Sequence, residues 1–229
     1  MLIFIGVSLD GPAEVHDSIR GVRGAFKRAL ETYRRLQAIK NSTEADTLNV
    51  KFEYTISKFN AGLLRKTLQA IKDEGIEAKV EDFVITFARS ADFYNNLGED
   101  VAPPLDVALE EATWALKHVK AGNLFSRILR AYLKAYLKYA DLGSWRPPCV
   151  AGKNSCLVDP YGKVYPCIML RYELGDLLKD GFNLSKIMCG EKALTFRRNM
   201  HKICPTCWTP CEAYQTIMGN LIKVVACEN

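Results

Sequence analysis

The residues of this chain best suited to chemistry are its eight cysteines, all of which lie in the last 81 of its 229 residues. They are Cys149, Cys156, Cys167, Cys189, Cys204, Cys207, Cys211 and Cys227. The segment "HKICPTCWTPCEAYQ" contains a Cys-x2-Cys-x3-Cys pattern stiffened by two prolines. A two-residue spacer lets two thiolates bind one corner of a metal site, so this segment predicts metal binding.

A second group of thiols surrounds the segment "CLVDPYGKVYPC", which begins at Cys156 and ends at Cys167. Its centre, Asp159 to Gly162, is typical of a turn between two short strands. A hairpin here brings Cys156 and Cys167 together, and Cys149 enters from the preceding linker. We therefore expect three sulfur atoms to converge.

Iron–sulfur clusters, zinc and inert buried cysteines are the three alternatives for these thiols. Structural zinc sites usually combine two close cysteine pairs, or one pair and two histidines. This chain has one Cys-x2-Cys pair with only His201 nearby. Seven or eight thiols divide more naturally into two four-iron clusters, so we expect two [4Fe-4S] clusters in this region.

Composition narrows the remaining functional classes. A net charge of +5, from 31 basic and 26 acidic residues, is spread thinly and does not predict nucleic-acid binding. No apolar stretch approaches the roughly 20 residues of a membrane helix, and the N-terminal apolar run lacks the flanks of a signal peptide. We therefore expect a cytoplasmic protein without membrane contact, in which disulfides are not expected.

The cysteine-free first 148 residues predict alternating strands and helices. Strands are predicted in "LIFIGVSL", "LNVKFEYTIS" and "AKVEDFVITFA", and helices in "GAFKRALETYRRLQAIK" and "NAGLLRKTLQAIKDEG". Asn60 is predicted to cap the second helix and Gly75 to end it. This order implies right-handed crossovers and a parallel sheet with helices outside. Two further helices, "PPLDVALEEATWALKHVK" and "LFSRILRAYLKAYLKYADLG", lead to the cysteines.

Two stretches resemble a known family. "GVSLDGPAEVHDSIRGVRGAF" resembles the mid-barrel segment of radical S-adenosylmethionine (SAM) enzymes of the SPASM group, where a strand ends in Ser-x-Asp-Gly-Pro. "CVAGKNSCLVDPYGKVYPC" resembles the start of their C-terminal auxiliary-cluster domain: Cys149, twelve residues, Gly162, four residues and Cys167. "GDL" at 175–177 and the Cys204 cluster follow in the expected order.

The resemblance implies an α/β fold. Residues 1–146 would form the C-terminal part of a partial (β/α) radical SAM barrel with its connecting helices. Residues 147–229 would form a small cysteine-rich α+β SPASM domain. In such enzymes a first cluster, bound by Cys-x3-Cys-x2-Cys, cleaves SAM to a radical, and auxiliary clusters position substrate or accept the electron.

The implied partners are a peptide, protein or cofactor-precursor substrate and an electron donor such as ferredoxin or flavodoxin. The first 148 residues contain no cysteine, so the cluster that cleaves SAM is absent from this sequence. We expect the chain to be the C-terminal part of such an enzyme, as a fragment, a decayed copy or one half of a split protein. The last case adds a separate N-terminal half as a partner, and the chain alone is not expected to cleave SAM.

The ligand count also departs from the family, which has one more thiol before the final lone cysteine. Two allotments fit. In the first allotment, one cluster is held by Cys149, Cys156, Cys167 and Cys211. The other cluster is then held by Cys204, Cys207 and Cys227, with an open iron or with Cys189 as the fourth ligand. In the second, Cys204, Cys207, Cys211 and Cys227 hold a complete cluster, and the first three cysteines hold one with a free iron.

Ser8, Asp10 and Arg20 are the candidate cofactor-binding residues near the first strand. Ser8 and Asp10 end that strand on the side where α/β sheets bind ligands, so they are candidates for contact with SAM or substrate. His16, Asp17 and Arg20 are candidates for orienting the carboxylate of SAM. Turn chemistry and a surface ion-pair network explain the same residues without a ligand. Tyr165 and Trp208 are expected to shield the clusters from water. No catalytic residue is predicted.

Overall fold

The computed structural model describes residues 3–43, 48–120, 122–142, 149–204 and 207–221. Contacts between residues divide the chain into two compact units. Unit 1 comprises Met1–Arg89 and Asp100–Leu137, and unit 2 comprises Ser90–Glu99 and Lys138–Asn229. The domain boundary expected at 146/147 falls outside the described residues and stays a prediction. The described helices include none long and apolar enough to cross a membrane.

Unit 1 is built on a parallel three-stranded sheet in the order β1-β2-β3. The strands are β1 (Ile3–Ser8), β2 (Leu48–Ile56) and β3 (Phe83–Phe87). The helices are α1 (Ala13–Arg20), α2 (Ala25–Ser42), α3 (Leu64–Asp73), α4 (Leu105–His118) and α5 (Leu124–Leu142). The three predicted strands and their parallel pairing are confirmed. The four predicted helices are also confirmed, whereas α1 was not predicted.

Alternation along the strands explains which face of the sheet is buried. The apolar residues of β2 and β3 share one face, where Phe52 and Phe83 pair in register and their ring centroids lie 5.3 Å apart. Tyr33 of α2 stacks on Phe52 with a centroid distance of 4.0 Å. The helix face and the strand face therefore form one aromatic core, and this core fixes the register of the strand ends.

The predicted cap of α3 is wrong. The helix begins at Leu64 rather than beside Asn60, because Gly62 adopts a left-handed φ of 83° that interrupts the chain between them. Asn60 is buried and holds neighbouring backbone instead, donating to the carbonyls of Asp10 and Thr55 at 2.8 and 2.9 Å. The Leu64 N–H donates to Glu111 Oε1 of α4 at 2.8 Å, so a distant carboxylate caps the helix.

Unit 2 contains a small antiparallel sheet and three helices in its described part. The strands are β4 (Leu157–Val158), β5 (Lys163–Tyr165) and β6 (Gly175–Asp176), and the helices are α6 (Leu184–Met188), α7 (Glu191–Ile203) and α8 (Pro210–Leu221). The predicted hairpin is confirmed, with Leu157 opposite Tyr165. Its turn is closed by Asp159 Oδ1, which accepts from Tyr161 N and Lys163 N, both at 2.9 Å.

Residues 90–99 belong to unit 2 although 38 residues of unit 1 follow them in sequence. Phe93 packs edge-on against Tyr165 at 4.9 Å, and the Arg171 guanidinium lies 5.0 Å from the centre of the Phe93 ring. Ala91 is buried in the same apolar cluster as Cys167. The segment therefore forms part of the wall around the cysteines.

The Glu111 cap provides a test of how unit 1 is held together. Glu111 is 5% exposed, its Oε2 has no hydrogen-bond partner among the described residues, and burial raises the pKa of its carboxyl group. We expect Glu111→Ala to destabilise the start of α3 by about 1–2 kcal/mol through loss of the cap. Glu111→Gln should retain the cap because its amide oxygen accepts the same hydrogen bond.

Hydrogen exchange of the Leu64–Asp73 amides measures this effect locally. Glu110→Ala is the matched control, since the neighbouring Glu110 is exposed and pairs with Arg65 at 3.0 Å. Such a surface pair contributes about 0–1 kcal/mol. Equal protection loss in Glu111→Ala and Glu110→Ala would contradict the capping role.

Candidate metal centre

Three of the predicted ligands meet in one apolar cluster of unit 2. Cys167, which is 5% exposed, is buried with Ala91, Ala151 and Met169, and Cys149 and Cys207 pack against this group. Cys149 and Cys167 come from the hairpin region, and Cys207 comes from the Cys-x2-Cys segment. The structure therefore brings the two predicted groups of thiols to one place.

Cys204 lies at the C-terminus of α7, and Cys211 lies in the first turn of α8. Burial raises the pKa of Cys149, and the charges of Glu212 and Cys204 raise it further. Burial also raises the pKa of Tyr94 to about 12, with further contributions from Cys211, Cys207 and Cys167. Tyr94 belongs to the same unit as these cysteines and was not predicted as part of the site.

Cys156 lies on a different side of the site. It packs against a second apolar cluster that contains Val164, Leu174 and Phe196, rather than against Cys149 and Cys167. Burial raises the pKa of its thiol, and the charge of Glu212 raises it further. The two cysteines of the hairpin thus pack in different apolar clusters.

The last two predicted ligands stay predictions. Cys189 is exposed at the C-terminus of α6 and is disulfide-bonded, so the expectation of a chain without disulfides is wrong at this residue. An exposed thiol at a helix end is accessible to a second thiol. Cys189 would act as a ligand only after reduction, because the thiolate is the ligand form. Cys227 lies outside the described residues.

The donor set fits an iron–sulfur cluster. Six described cysteines are not disulfide-bonded, and those around Cys167 pack against apolar side chains. Thiolates in such a setting are the usual ligands of iron–sulfur clusters. Across the described ranges, no group of three His, Cys, Asp or Glu side chains is arranged to hold a single metal ion.

Aromatic side chains cover the site. Trp208, next to Cys207, is 5% exposed. Tyr165 is half-buried and contacts Phe93, so the ring beside Cys167 is supported by residues 90–99. The expected shielding role of Trp208 and Tyr165 stays a prediction. No spacing pattern in the sequence indicated that residues 90–99 would pack against Tyr165.

The predicted cofactor-binding residues of unit 1 form a different arrangement. Asp10 is buried; its Oδ1 accepts from Thr55 N at 2.9 Å and its Oδ2 pairs with Arg20. Asp17 accepts from the N–H groups of Gly24 and Phe26, which fixes the start of α2. Asp10 and Arg20 are therefore brought together as turn-stabilising groups. Ser8 ends β1 half-buried and opposite Glu53, and its contact with SAM or substrate stays a prediction.

Comparison with known proteins identifies a domain within unit 2. The model of the SPASM iron-sulfur cluster-binding domain matches residues 149–212, the segment that contains the converging thiols. The chain is also 28% identical over 193 residues to the AdoMet-dependent heme synthase of Methanosarcina barkeri, covering 78% of this chain and 51% of that protein. Residues 149–212 therefore match a SPASM domain, and the chain is similar to this relative over most of its length.

Two further relatives are named for the maturation of mycofactocin and the biosynthesis of subtilosin. The mycofactocin maturase of Mycobacterium tuberculosis is 27% identical over 184 residues, covering 77% of this chain and 42% of that protein. The antilisterial bacteriocin subtilosin biosynthesis protein of Bacillus subtilis is 24% identical over 183 residues, covering 79% and 36%. The chain spans about half or less of the length of these curated relatives.

The strand-end network of unit 1 predicts a pH dependence of stability. His16 is buried, and its Nδ1 accepts from Asp10 N at 3.0 Å. Burial lowers the pKa of His16 below its ordinary 6.5, an effect that Asp10 opposes and Arg20 assists. The unfolded chain therefore takes up this proton at a higher pH than the folded chain does. The contribution of neutral His16 to the free energy of unfolding is complete above pH 6.5. It declines as the pH falls through 6.5 toward the lower pKa of His16 in the folded chain.

Urea unfolding between pH 5 and pH 8 checks this sign. We expect His16→Asn to flatten the pH dependence, because Asn keeps an acceptor for Asp10 N but does not titrate in this range. His118→Asn, at an exposed helix position, should leave the wild-type curve unchanged. A His16→Asn curve as steep as that of the wild type would show that another group controls the acid loss.

Proposed function

We propose that this chain is the substrate-facing and auxiliary-cluster part of a radical SAM enzyme that modifies a peptide, a protein or a cofactor precursor. The observation that carries the proposal is the convergence of Cys149, Cys167 and Cys207 in one apolar cluster inside the segment matched by the SPASM model. The relatives named for heme, mycofactocin and subtilosin support this range of substrates.

Unit 2 is proposed to hold two four-iron clusters. The hairpin and the two helices α7 and α8 supply thiols from three directions, which suits a cluster better than a flat surface site. Such clusters take up or release single electrons. The residues of this chain hold the sulfur ligands in place, and Trp208 and Phe93 keep water from them.

Unit 1 is proposed to be part of a (β/α) barrel. Its support is the parallel order β1-β2-β3 with helices in the connections, which is the arrangement of successive βα units. The face opposite the aromatic core carries Ser8, Glu53 and Thr86 and is half-exposed or exposed. We propose that this face contacts the substrate.

Cleavage of SAM needs cysteines that do not occur in the first 148 residues. We therefore propose that the Cys-x3-Cys-x2-Cys site is supplied by polypeptide other than these 229 residues, and that a ferredoxin or flavodoxin donates the electron. The proposed location is the cytoplasm, where thiols are kept reduced.

Anaerobic reconstitution of the chain with iron and sulfide tests the proposal. We expect about eight iron and eight sulfide per chain and a broad absorbance near 400 nm. The double variant Cys149→Ser, Cys167→Ser should lose about four of each, because both residues belong to one proposed cluster. Wild-type chain offered only zinc is the control and should show no such absorbance.

The result that would overturn the proposal is equally direct. One or two tightly bound zinc ions per chain, with no iron retained after desalting, would identify a zinc-stabilised protein. Full iron content in the double variant would show that the converging thiols are not the ligands.

A further inference from the structure

Unit 1 contains a cavity of about 470 Å³ that is lined by α1 and by the turn that follows β2. Glu14, Val15, Ser18 and Ile19 line it from α1, and Phe59 lines it from the turn. Ligand pockets have typical volumes of about 300–1,000 Å³. The cavity is therefore large enough to enclose a substantial part of a ligand.

The cavity lies beyond the carboxyl ends of two neighbouring strands. β1 ends at Ser8 and leads into α1, and β2 ends at Ile56, shortly before Phe59. The two strands pair in parallel, so their carboxyl ends share one edge of the sheet. Open α/β sheets bind ligands in the crevice outside this edge. The cavity thus occupies the place where such a sheet is expected to bind its substrate.

Asn60 joins the two sides of the cavity. Its side-chain amide donates to the carbonyl of Asp10, which precedes α1, and to the carbonyl of Thr55, at 2.8 and 2.9 Å. Its Oδ1 accepts from Ser57 N at 2.7 Å and so closes the turn that carries Phe59. Asn60 is buried, so these hydrogen bonds are protected from water. The cavity is therefore preformed, and binding does not have to order its walls.

Phe59 contributes to this cavity rather than to the core. It is 61% exposed, and Lys58 Nζ lies 5.3 Å from the centre of its ring. Val15 and Ile19 are four residues apart, so they lie on one face of α1. An apolar side chain of a ligand would be covered by these two aliphatic residues and by the aromatic ring of Phe59.

Glu14 gives the cavity a negative charge. It is exposed and forms no ion pair among the described residues. The nearby basic side chains Arg20 and Lys58 pair with Asp10 and Asp100 instead. A carboxylate beside an apolar surface complements a ligand that carries a cation next to an apolar group. Neighbouring residues of a peptide supply both groups.

We propose that this cavity binds a large apolar side chain of a peptide or protein substrate, and that Glu14 selects substrates with a lysine or arginine beside that side chain. The inference rests on the proposed function, because it assigns the cavity to the substrate of that enzyme. It narrows the proposed substrates to peptides and proteins. Phe59 provides affinity in this site, and Glu14 provides specificity.

The test uses the full 229-residue chain, reconstituted anaerobically with iron and sulfide, and a capped dipeptide of para-fluorophenylalanine and lysine. Fluorine NMR measures the dissociation constant of the dipeptide. We expect Phe59→Ala to weaken binding about tenfold or more, because a central aromatic contact is lost. Glu14→Gln should weaken binding up to about fivefold, as expected for an exposed ion pair, and should remove the preference for lysine over glutamine in the dipeptide.

Two variants are matched controls. Phe182→Ala removes a phenylalanine that is 72% exposed in unit 2, and Glu77→Gln removes an exposed carboxylate of unit 1 outside the cavity. Both should bind the dipeptide as the wild type does. Phe59 and Glu14 are themselves exposed, so hydrogen exchange of the β2 amides should be unchanged in both cavity variants.

Three results would overturn the inference alone, in a chain that retains about eight iron. They are wild-type affinity in Phe59→Ala, equal affinity of the wild type for the lysine and glutamate dipeptides, and binding of para-fluorophenethylamine as tight as that of the lysine dipeptide. The last result would show that the cavity takes a small amine. If the wild-type chain retains no iron, the proposed function fails and the inference fails with it.

Discussion

The constraint on which unit 2 depends is the packing of several thiols against apolar side chains. Cys149, Cys167 and Cys207 pack in one apolar cluster. As ligands these groups are anionic, and anions do not gather away from water unless a cation balances them. Iron supplies such a balance, so metal binding and the packing of this unit are coupled.

The backbone around the thiols is shaped for this arrangement. Gly152 has a left-handed φ of 67°, and a side chain there would meet the Phe196 ring of α7 at 2.9 Å. Arg197 of α7 donates to the Gly152 carbonyl at 3.0 Å and to the Met188 carbonyl. The turn between Cys149 and Cys156 is thereby fixed against α7, whose end carries Cys204. The hydrogen bond from Arg197 to Gly152 thus connects the segment that carries Cys149 and Cys156 with the helix that ends at Cys204.

The sequence predicted the elements whose signals are local. A nearly continuous apolar run located β1, alternating apolar residues located β2 and β3, and the Asp159–Gly162 turn located the hairpin. The sequence-based prediction was wrong where contacts between residues distant in sequence determine the local structure. Asn60 looks like a cap in sequence, but tertiary contacts with Asp10 and Thr55 hold it elsewhere, and Glu111 takes its place. The helix α1 was missed although Gly21, with φ 63°, ends it in the usual way.

The sequence was sufficient to predict that cysteine thiols form the site. It was not sufficient to predict the other residues that surround them. Cysteine spacing identified the thiols, but no local pattern places residues 90–99 or Tyr94 beside them. Glu212 follows Cys211 in the sequence, yet Glu212 is buried and Cys211 is exposed, which no sequence pattern indicates. Ligand allotment is a three-dimensional property, because it depends on which face of α8 meets the hairpin.

The central claim is that unit 2 is assembled around iron and sulfide. X-ray absorption at the iron edge of the anaerobically reconstituted chain tests it most directly, because the method reports the ligands and the metal neighbours of each iron. The account predicts mostly sulfur ligands together with a short iron–iron distance. Iron surrounded by oxygen and nitrogen with no iron neighbour would contradict it.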